Sequence, residues 1–135
     1  MRNLEQIRAA KALLATSAKD ANGKPSFNRS DVAGFPSIII NNGLLSAIAF
    51  ACEEGKEARA GIKKACDETA EHLGDKIHGI SVIFGVKNGL DLVRKLSAAP
   101  ATSLDVQRAT NEALSFFNYL KRFAVPANSK AQTPN

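Results

Sequence analysis

The chain has few residues that could form covalent cross-links and no segment that could cross a membrane. Among its 135 residues are two cysteines and no tryptophan, and no apolar run approaches the roughly 18 residues of a transmembrane helix. A disulfide-rich scaffold and a membrane-spanning protein are therefore excluded. With 44% hydrophobic and 23% charged residues, the composition is typical of one soluble globular domain that buries its own core.

The cysteines and the first residues also indicate where the protein works. Cys52 and Cys66 lie in helix-like surroundings, and we expect free, partly buried thiols. Glu5 and Arg8 interrupt the apolar region that a signal peptide would need. We therefore expect a cytoplasmic protein with no membrane partner.

No segment has a pattern that indicates catalysis or a bound cofactor. The sequence contains no P-loop, no dinucleotide-binding fingerprint and no HExxH motif. Cys66, His72 and His78 follow each other at six-residue steps, and such steps do not converge on one face of a helix. We expect no catalytic residue, no metal site and no cofactor.

Hydrophobic spacing predicts an all-α fold, a compact bundle of about five to six helices in a single domain. The domain is predicted to span residues 1–124, and residues 125–135 to form a polar, disordered tail. Asn3 and Thr102 are candidate N-caps of the first and last helices, and Ser30-Asp31 of a helix that begins near Val32. Further helices are predicted over residues 43–54, from about residue 56 to Gly74, and over Leu90–Ala99.

Two helices have apolar faces that can be read from the sequence. The first helix, over residues 3–19, is predicted to bury Leu4, Ile7, Leu14 and Ala18. The last helix is predicted to bury Ala109, Ala113, Phe116, Phe117 and Leu120, with Arg108, Glu112, Ser115, Tyr119 and Arg122 on the opposite side.

The stretch SIIINNGLL, residues 37–45, admits two interpretations. Asn42-Gly43 between apolar residues is typical of a β-hairpin turn. The residues after Gly43, however, have helical spacing and high alanine content. We therefore expect Asn41-Asn42-Gly43 to end one short helix in a left-handed cap and to begin the next.

Two neighbouring segments leave alternatives open. Pro36 either kinks a helix that begins near Val32 or opens a separate helix at its first position. Residues 76–90 contain the β-branched stretch ISVIF but are interrupted by three glycines. A short helix or a buried apolar loop is favoured there over a strand.

Charge is distributed unevenly along the chain, whose formal net charge is +5. Residues 1–30 hold six lysines and arginines against two acids, and residues 80–135 hold seven against three, whereas the middle is acidic. If the first and last helices pack side by side, they form a basic face that suits an anionic partner, nucleic acid above all.

The basic residues lie on helix faces without a recognition-helix pattern, which favours contacts to a phosphate backbone over contacts to bases. The candidates for these contacts are Arg8, Lys11, Arg108, Lys121 and Arg122, with Lys19 and Arg2 as weaker ones. A helix-turn-helix DNA reader is disfavoured, because the helix after Gly43 is apolar and then acidic.

Three blocks at the start, centre and end of residues 1–124 share features with a known family. They read MRNLEQIRAAKAL, FPSIIINNGLLSAIAFA and ATNEALSFFNYLKRFA. The shared positions are Pro36, Asn42-Gly43-Leu44, Ala49-Phe50 and Leu120-Lys121-Arg122-Phe123-Ala124. In this order and spacing, the blocks resemble the small subunit of the type III-B CRISPR effector, the Cmr complex.

The resemblance implies an all-helical, non-catalytic subunit that acts in antiviral defence. Several copies would stack beside the backbone subunits of the complex, in contact with guide RNA and target RNA. Because base pairing reads the sequence in such effectors, the protein needs only to bind the backbone.

Two positions depart from the family pattern. Ile40 stands where a basic residue often precedes the Asn-Gly-Leu segment, which leaves Asn42 and backbone amides for RNA contacts there. Tyr119 stands where many members have tryptophan. The alternative to an RNA-binding subunit is a helical protein–protein adaptor with an incidental basic surface.

Overall fold

The computed structural model describes residues 3–19, 21–53, 55, 57–77 and 79–126. These residues form seven α-helices and two short 3-10 turns, with no strand beyond an isolated bridge between Lys19 and Pro25. The helices are α1 (Leu4–Ser17), α2 (Arg29–Ala33), α3 (Phe35–Asn42), α4 (Leu44–Ala51), α5 (Ala60–Leu73), α6 (Gly89–Leu96) and α7 (Ser103–Phe123). The all-α prediction is confirmed.

Side-chain caps fix the starts of α1, α2 and α7, and the side chain of Asn88 caps α6 in the same way. Asn3 and Thr102 cap α1 and α7 as predicted, each in a capping box with the residue three positions on. The predicted cap of α2 is wrong. Asn28 accepts from the backbone N–H of Asp31, so this helix begins at Arg29 instead of near Val32.

The segment around Pro36 consists of two separate helices and no hairpin. Gly34 lies between α2 and α3, and Pro36 lies in the first turn of α3, where its missing N–H costs little. Gly43 ends α3 and begins α4 with φ 90° and ψ 153°, a conformation open almost only to glycine. The interpretation of this stretch as a helix–helix joint is confirmed, but Asn41 and Asn42 still belong to α3, and a ψ of 153° places Gly43 outside the left-handed helical region that the predicted cap requires.

The core is centred on α7, which packs most extensively against α1. The five residues predicted for its apolar face are all buried. Phe117 packs against Phe35 of α3 with ring centroids 5.0 Å apart. The aromatic side chains of α7 therefore connect the last helix to the centre of the bundle.

The predicted apolar face of α1 is wrong at both of its leucines, while Ile7 and Ala18 are half-buried. Leu14 is 75% exposed and Leu4 lies at the surface, whereas Ala12, Ala15 and Thr16 are buried. Small side chains allow the backbones of α1 and its neighbours to approach closely, and the hydroxyl of Thr16 donates to the carbonyl of Ala12 at 2.9 Å. The helix therefore buries its alanines and exposes its leucines.

Residues 76–90 are mostly irregular where the structure describes them. A 3-10 turn covers Ser81–Ile83, and Ile83 and Val86 are buried. Gly89 begins α6 against α4 and α5, where an added Cβ would lie 2.8 Å from Ile48 and 3.0 Å from the Sγ of Cys52. The favoured prediction of a short helix or buried apolar loop agrees with this arrangement.

Both cysteines are free and buried, and burial raises the pKa of each thiol, so these thiols are poor nucleophiles.

None of the helices in the described ranges is long and apolar enough to span a membrane. The predicted tail lies outside the described residues from 127 onward. Val125, the first residue of that predicted tail, is described, and its carbonyl accepts from the backbone N–H of Arg29 at 2.7 Å.

Candidate nucleic-acid interface

The side-by-side packing of α1 and α7 joins Arg8 to Glu112. The Nε and Nη2 atoms of Arg8 each donate to a different carboxylate oxygen at 2.7 Å. The same carboxylate accepts from Nε2 of His72 on α5 at 2.8 Å. Glu112 was predicted on the outer side of α7, but it faces α1 and α5 and links three helices.

Burial and charge act in opposite directions on Glu112. Burial by itself would raise the pKa of this carboxyl, but hydrogen bonds from Arg8 and His72, together with the Arg8 charge, lower it to about 2. The hydrogen bond to Glu112 raises the pKa of Arg8. Behind this pair, the buried ring of His72 stacks on Phe116, with centroids 4.4 Å apart. The charged pair is thus fixed from the core side.

Arg8 and Arg108 line one cavity of about 550 Å³ between α1, α7 and the segment that contains Gly79 and Ser81. Asn111 and Ser115 of α7 also line it and can act as hydrogen-bond donors. The structure therefore brings two of the predicted phosphate-binding residues together.

Lys11 lies in a different environment. Its Nζ forms an ion pair with Asp75 at 2.6 Å, and it lines a second cavity, of about 540 Å³. Glu68 and Glu71 lie in that cavity as well. The basic face predicted for α1 is thus largely balanced by acidic residues of α5, of α7 and of the segment that follows α5.

Arg108 and Arg122 lie on the same side of α7. They are fourteen residues apart, which is roughly 21 Å along an α-helix. Both are exposed, and neither forms an ion pair within the described part of the chain. Between them, the hydroxyl of Tyr119 donates to Glu5 of α1 at 3.0 Å. We call the surface formed by Arg108, Arg8 and Arg122 the arginine stripe.

Arg29 is a cation near this stripe that the sequence reasoning missed. Its guanidinium donates to the carbonyls of Lys121, Arg122 and Ala124 at 3.0 to 3.4 Å, at the C-terminal end of α7. Three cations thus lie at one helix end, where the helix dipole favours positive charge. No local pattern could have revealed Arg29, because its partners lie more than ninety positions away.

The remaining candidates lie apart from the stripe. Lys19 is exposed in the bridge to Pro25, and Asn42 is exposed at the joint between α3 and α4. Ile40, beside Asn42, is 70% exposed. Arg2 and His78 lie outside the described residues. The candidate residues therefore occupy several surfaces, and α7 carries the main cationic one.

Fold and surface together define a small, basic, all-helical protein that presents arginines along its longest helix. Among the residues described, no group of three His, Cys, Asp or Glu side chains could hold a metal ion. The family model of the CRISPR-associated protein Cmr5 (Cas_Cmr5) matches residues 4–126, so the chain belongs to this family. The predicted identity, a Cmr-type small subunit, is confirmed. No curated protein and no solved structure matches the chain significantly.

Proposed function

We propose that the chain is a non-catalytic structural subunit of the type III-B Cmr effector in the cytoplasm. In this proposal, several copies of the subunit stack along the complex and bind the backbones of guide RNA and target RNA. The observation that carries the proposal is the arginine stripe in a chain of the Cmr5 family. Arg108 and Arg122 are exposed cations on the same side of one helix, as contacts to a phosphate backbone require.

The proposed contacts differ in strength. Arg108, Arg122 and Lys121 lie on α7 without ion-pair partners among the described residues, and they are the main candidates. Arg8 contributes from α1 while paired with Glu112. Lys11, which is paired with Asp75, and Lys19 and Asn42, which lie apart from the stripe, make weaker contacts, as does Arg2.

The effector complex assembled with the full-length chain tests this proposal. Changing Arg108 and Arg122 to alanine removes two cations from the stripe, and we expect RNA affinity to fall by about 1 kcal/mol, roughly fivefold, for each. The slope of log affinity against log salt should also become shallower, by about one for each phosphate that the protein no longer neutralises. Binding is measured by fluorescence anisotropy over a series of salt concentrations.

The matched control changes Lys63 of α5 and Lys95 of α6 to alanine. Both are exposed and lie on helices other than α7, and their removal changes the net charge by the same amount. We expect the control to leave the salt slope unchanged. If the α7 double variant and the control bind RNA with the same affinity, the proposed contacts are wrong.

A helical protein–protein adaptor is the second candidate, and exposed apolar residues favour it. Leu13 and Leu14 of α1 lie at the surface, as does Ile77. The stacking copies and the backbone subunit of the complex could cover these side chains, but so could an unrelated protein partner. Native mass spectrometry of the co-purified assembly distinguishes the two. Guide RNA and Cmr subunits support the first proposal, and a lone protein partner without RNA supports the adaptor.

A further inference from the structure

Arg8 uses only part of its guanidinium on Glu112. An arginine has five N–H donors, and the two bonds to the carboxylate involve one from Nε and one from Nη2. The other three form no hydrogen bond to any residue that the structure describes. The Arg8 side chain is 22% exposed and lines the cavity that also contains Arg108. Arg8 can therefore bind a second anion without leaving Glu112.

The hydrogen-bond donors around this cavity, and not its net charge, suit an anion with several acceptor oxygens. Arg8 and Arg108 are balanced formally by Asp105 and Glu112. Both carboxylates already accept hydrogen bonds: Asp105 from the backbone N–H and hydroxyl of Thr102, and Glu112 from Arg8 and His72. Hydrogen-bond donors of the two arginines, Asn111, Ser81 and Ser115 line the cavity. An RNA phosphodiester carries one negative charge and two acceptor oxygens that are not bridging.

Glu112 is held from the core side. His72 on α5 is 1% exposed in its side chain, donates to Glu112 and stacks on Phe116. The carboxylate therefore has a fixed position, and a two-bond pair with a fixed carboxylate orients the plane of a guanidinium. An arginine without that pair would sample several rotamers and lose more conformational entropy when it bound phosphate.

We propose that this cavity binds one phosphodiester of an RNA strand between Arg8 and Arg108, and that Glu112 is the positioning residue that holds Arg8 for this contact. The inference rests on the proposed function, because it takes RNA as the ligand. It also predicts the direction in which a change at Glu112 alters the affinity for RNA. If Glu112 competed with phosphate for Arg8, its neutralisation would strengthen RNA binding, whereas the loss of a positioning residue weakens it.

The test compares Glu112→Gln with Glu71→Gln in the complex assembled with the full-length chain. Both changes remove one negative charge, but Glu71 pairs with Lys87 on an exposed part of α5. We expect Glu112→Gln to weaken target RNA binding by about threefold to tenfold, as when a charge-assisted hydrogen bond loses its orientation. Glu71→Gln is expected to bind as tightly as the unchanged protein or slightly more tightly. Equal or tighter binding by Glu112→Gln overturns the inference.

Two further measurements separate positioning from a loss of folding. The salt slope reports phosphate contacts, and it should become shallower for Glu112→Gln and stay constant for Glu71→Gln. Arg8→Lys keeps the positive charge and loses the planar group that makes two bonds, so it too should weaken binding. If the Glu112→Gln protein does not assemble into the complex, the Arg8→Lys protein provides the test instead. Unchanged RNA binding by Arg8→Lys overturns the inference.

The inference and the proposed function fail in different ways. If the Arg108 and Arg122 double variant binds RNA normally, the proposed function fails whatever Glu112 does. If that variant binds weakly while Glu112→Gln and Arg8→Lys bind normally, the RNA-binding function stands and the positioning role of Glu112 is rejected.

Discussion

Gly43 shows how one residue sets the direction of two helices. It is both the last cap of α3 and the first cap of α4, with φ 90° and ψ 153°. An added Cβ at this position would meet no heavy atom within 4 Å. The need for glycine is therefore a matter of backbone conformation and not of space.

We predict that Gly43→Ala lowers the free energy of unfolding by about 1–2 kcal/mol, the cost of holding an alanine at positive φ. Gly34→Ala is the matched control, because Gly34 also lies between two helices and has open space, but its φ is −91°. The control should be neutral or stabilising by up to about 1 kcal/mol. Urea denaturation of both variants measures the difference, and equal effects would show that φ at residue 43 carries no strain.

At the scale of elements, the C-terminal end of α7 is held by a side chain from another helix. The guanidinium of Arg29 donates to three carbonyls of this last turn, while the backbone N–H of Arg29 donates to Val125. The last carbonyls of a helix have no partner within the helix. Arg29 supplies that partner and also complements the helix dipole.

We predict that Arg29→Ala destabilises the protein by about 1 kcal/mol, the net value of a few exposed hydrogen bonds and a dipole interaction. The loss of stability should be confined to the end of α7, so amide hydrogen exchange should accelerate at residues 121–125 more than in α5. Arg29→Lys keeps the charge and should recover part of the protection. Arg94→Ala removes another exposed arginine, from α6, and serves as control. Uniform acceleration across the fold would contradict the capping role.

The parts of the fold that could be predicted depend on neighbours in sequence. The capping boxes at Asn3 and Thr102 and the joint at Gly43 arise from side chains or backbone angles within a few residues. The apolar face of α7 is marked by two adjacent phenylalanines, whose large apolar area favours burial. In α1 the same reasoning failed, because the close approach of a second helix buried alanines and left leucines at the surface.

The candidate site was predictable only in its residue types. A surplus of cations on the first and last helices indicated an anionic partner, and Arg108 and Arg122 are exposed in the structure. The pairing of Arg8 with Glu112 spans 104 positions, and no spacing rule relates such residues. The family resemblance supplied the class of protein, but tertiary packing decides which cations remain available.

For the molecule as a whole, the contact of Glu112 with Arg8 and His72 joins α1, α5 and α7. The carboxylate is 19% exposed, and its pKa lies near 2 in the folded protein against an ordinary value of 4.5. The unfolded chain therefore binds a proton at Glu112 at a higher pH than the folded protein does. The pair stabilises the fold fully above about pH 4.5, and this contribution is lost as the pH falls towards 2.

We predict that this one carboxylate causes a measurable part of the acid sensitivity of the protein, at most about 3 kcal/mol between pH 5 and pH 2. Glu112→Gln should lower the free energy of unfolding at neutral pH and flatten its dependence on pH in this window, because no proton can then bind at residue 112. Glu71→Gln, which removes an exposed carboxylate from the same bundle, should keep the dependence of the unchanged protein. Urea denaturation at several pH values measures the free energy of unfolding of the unchanged protein and of both variants. Parallel curves for the unchanged protein and Glu112→Gln would mean that the link between the three helices does not depend on the charge of Glu112.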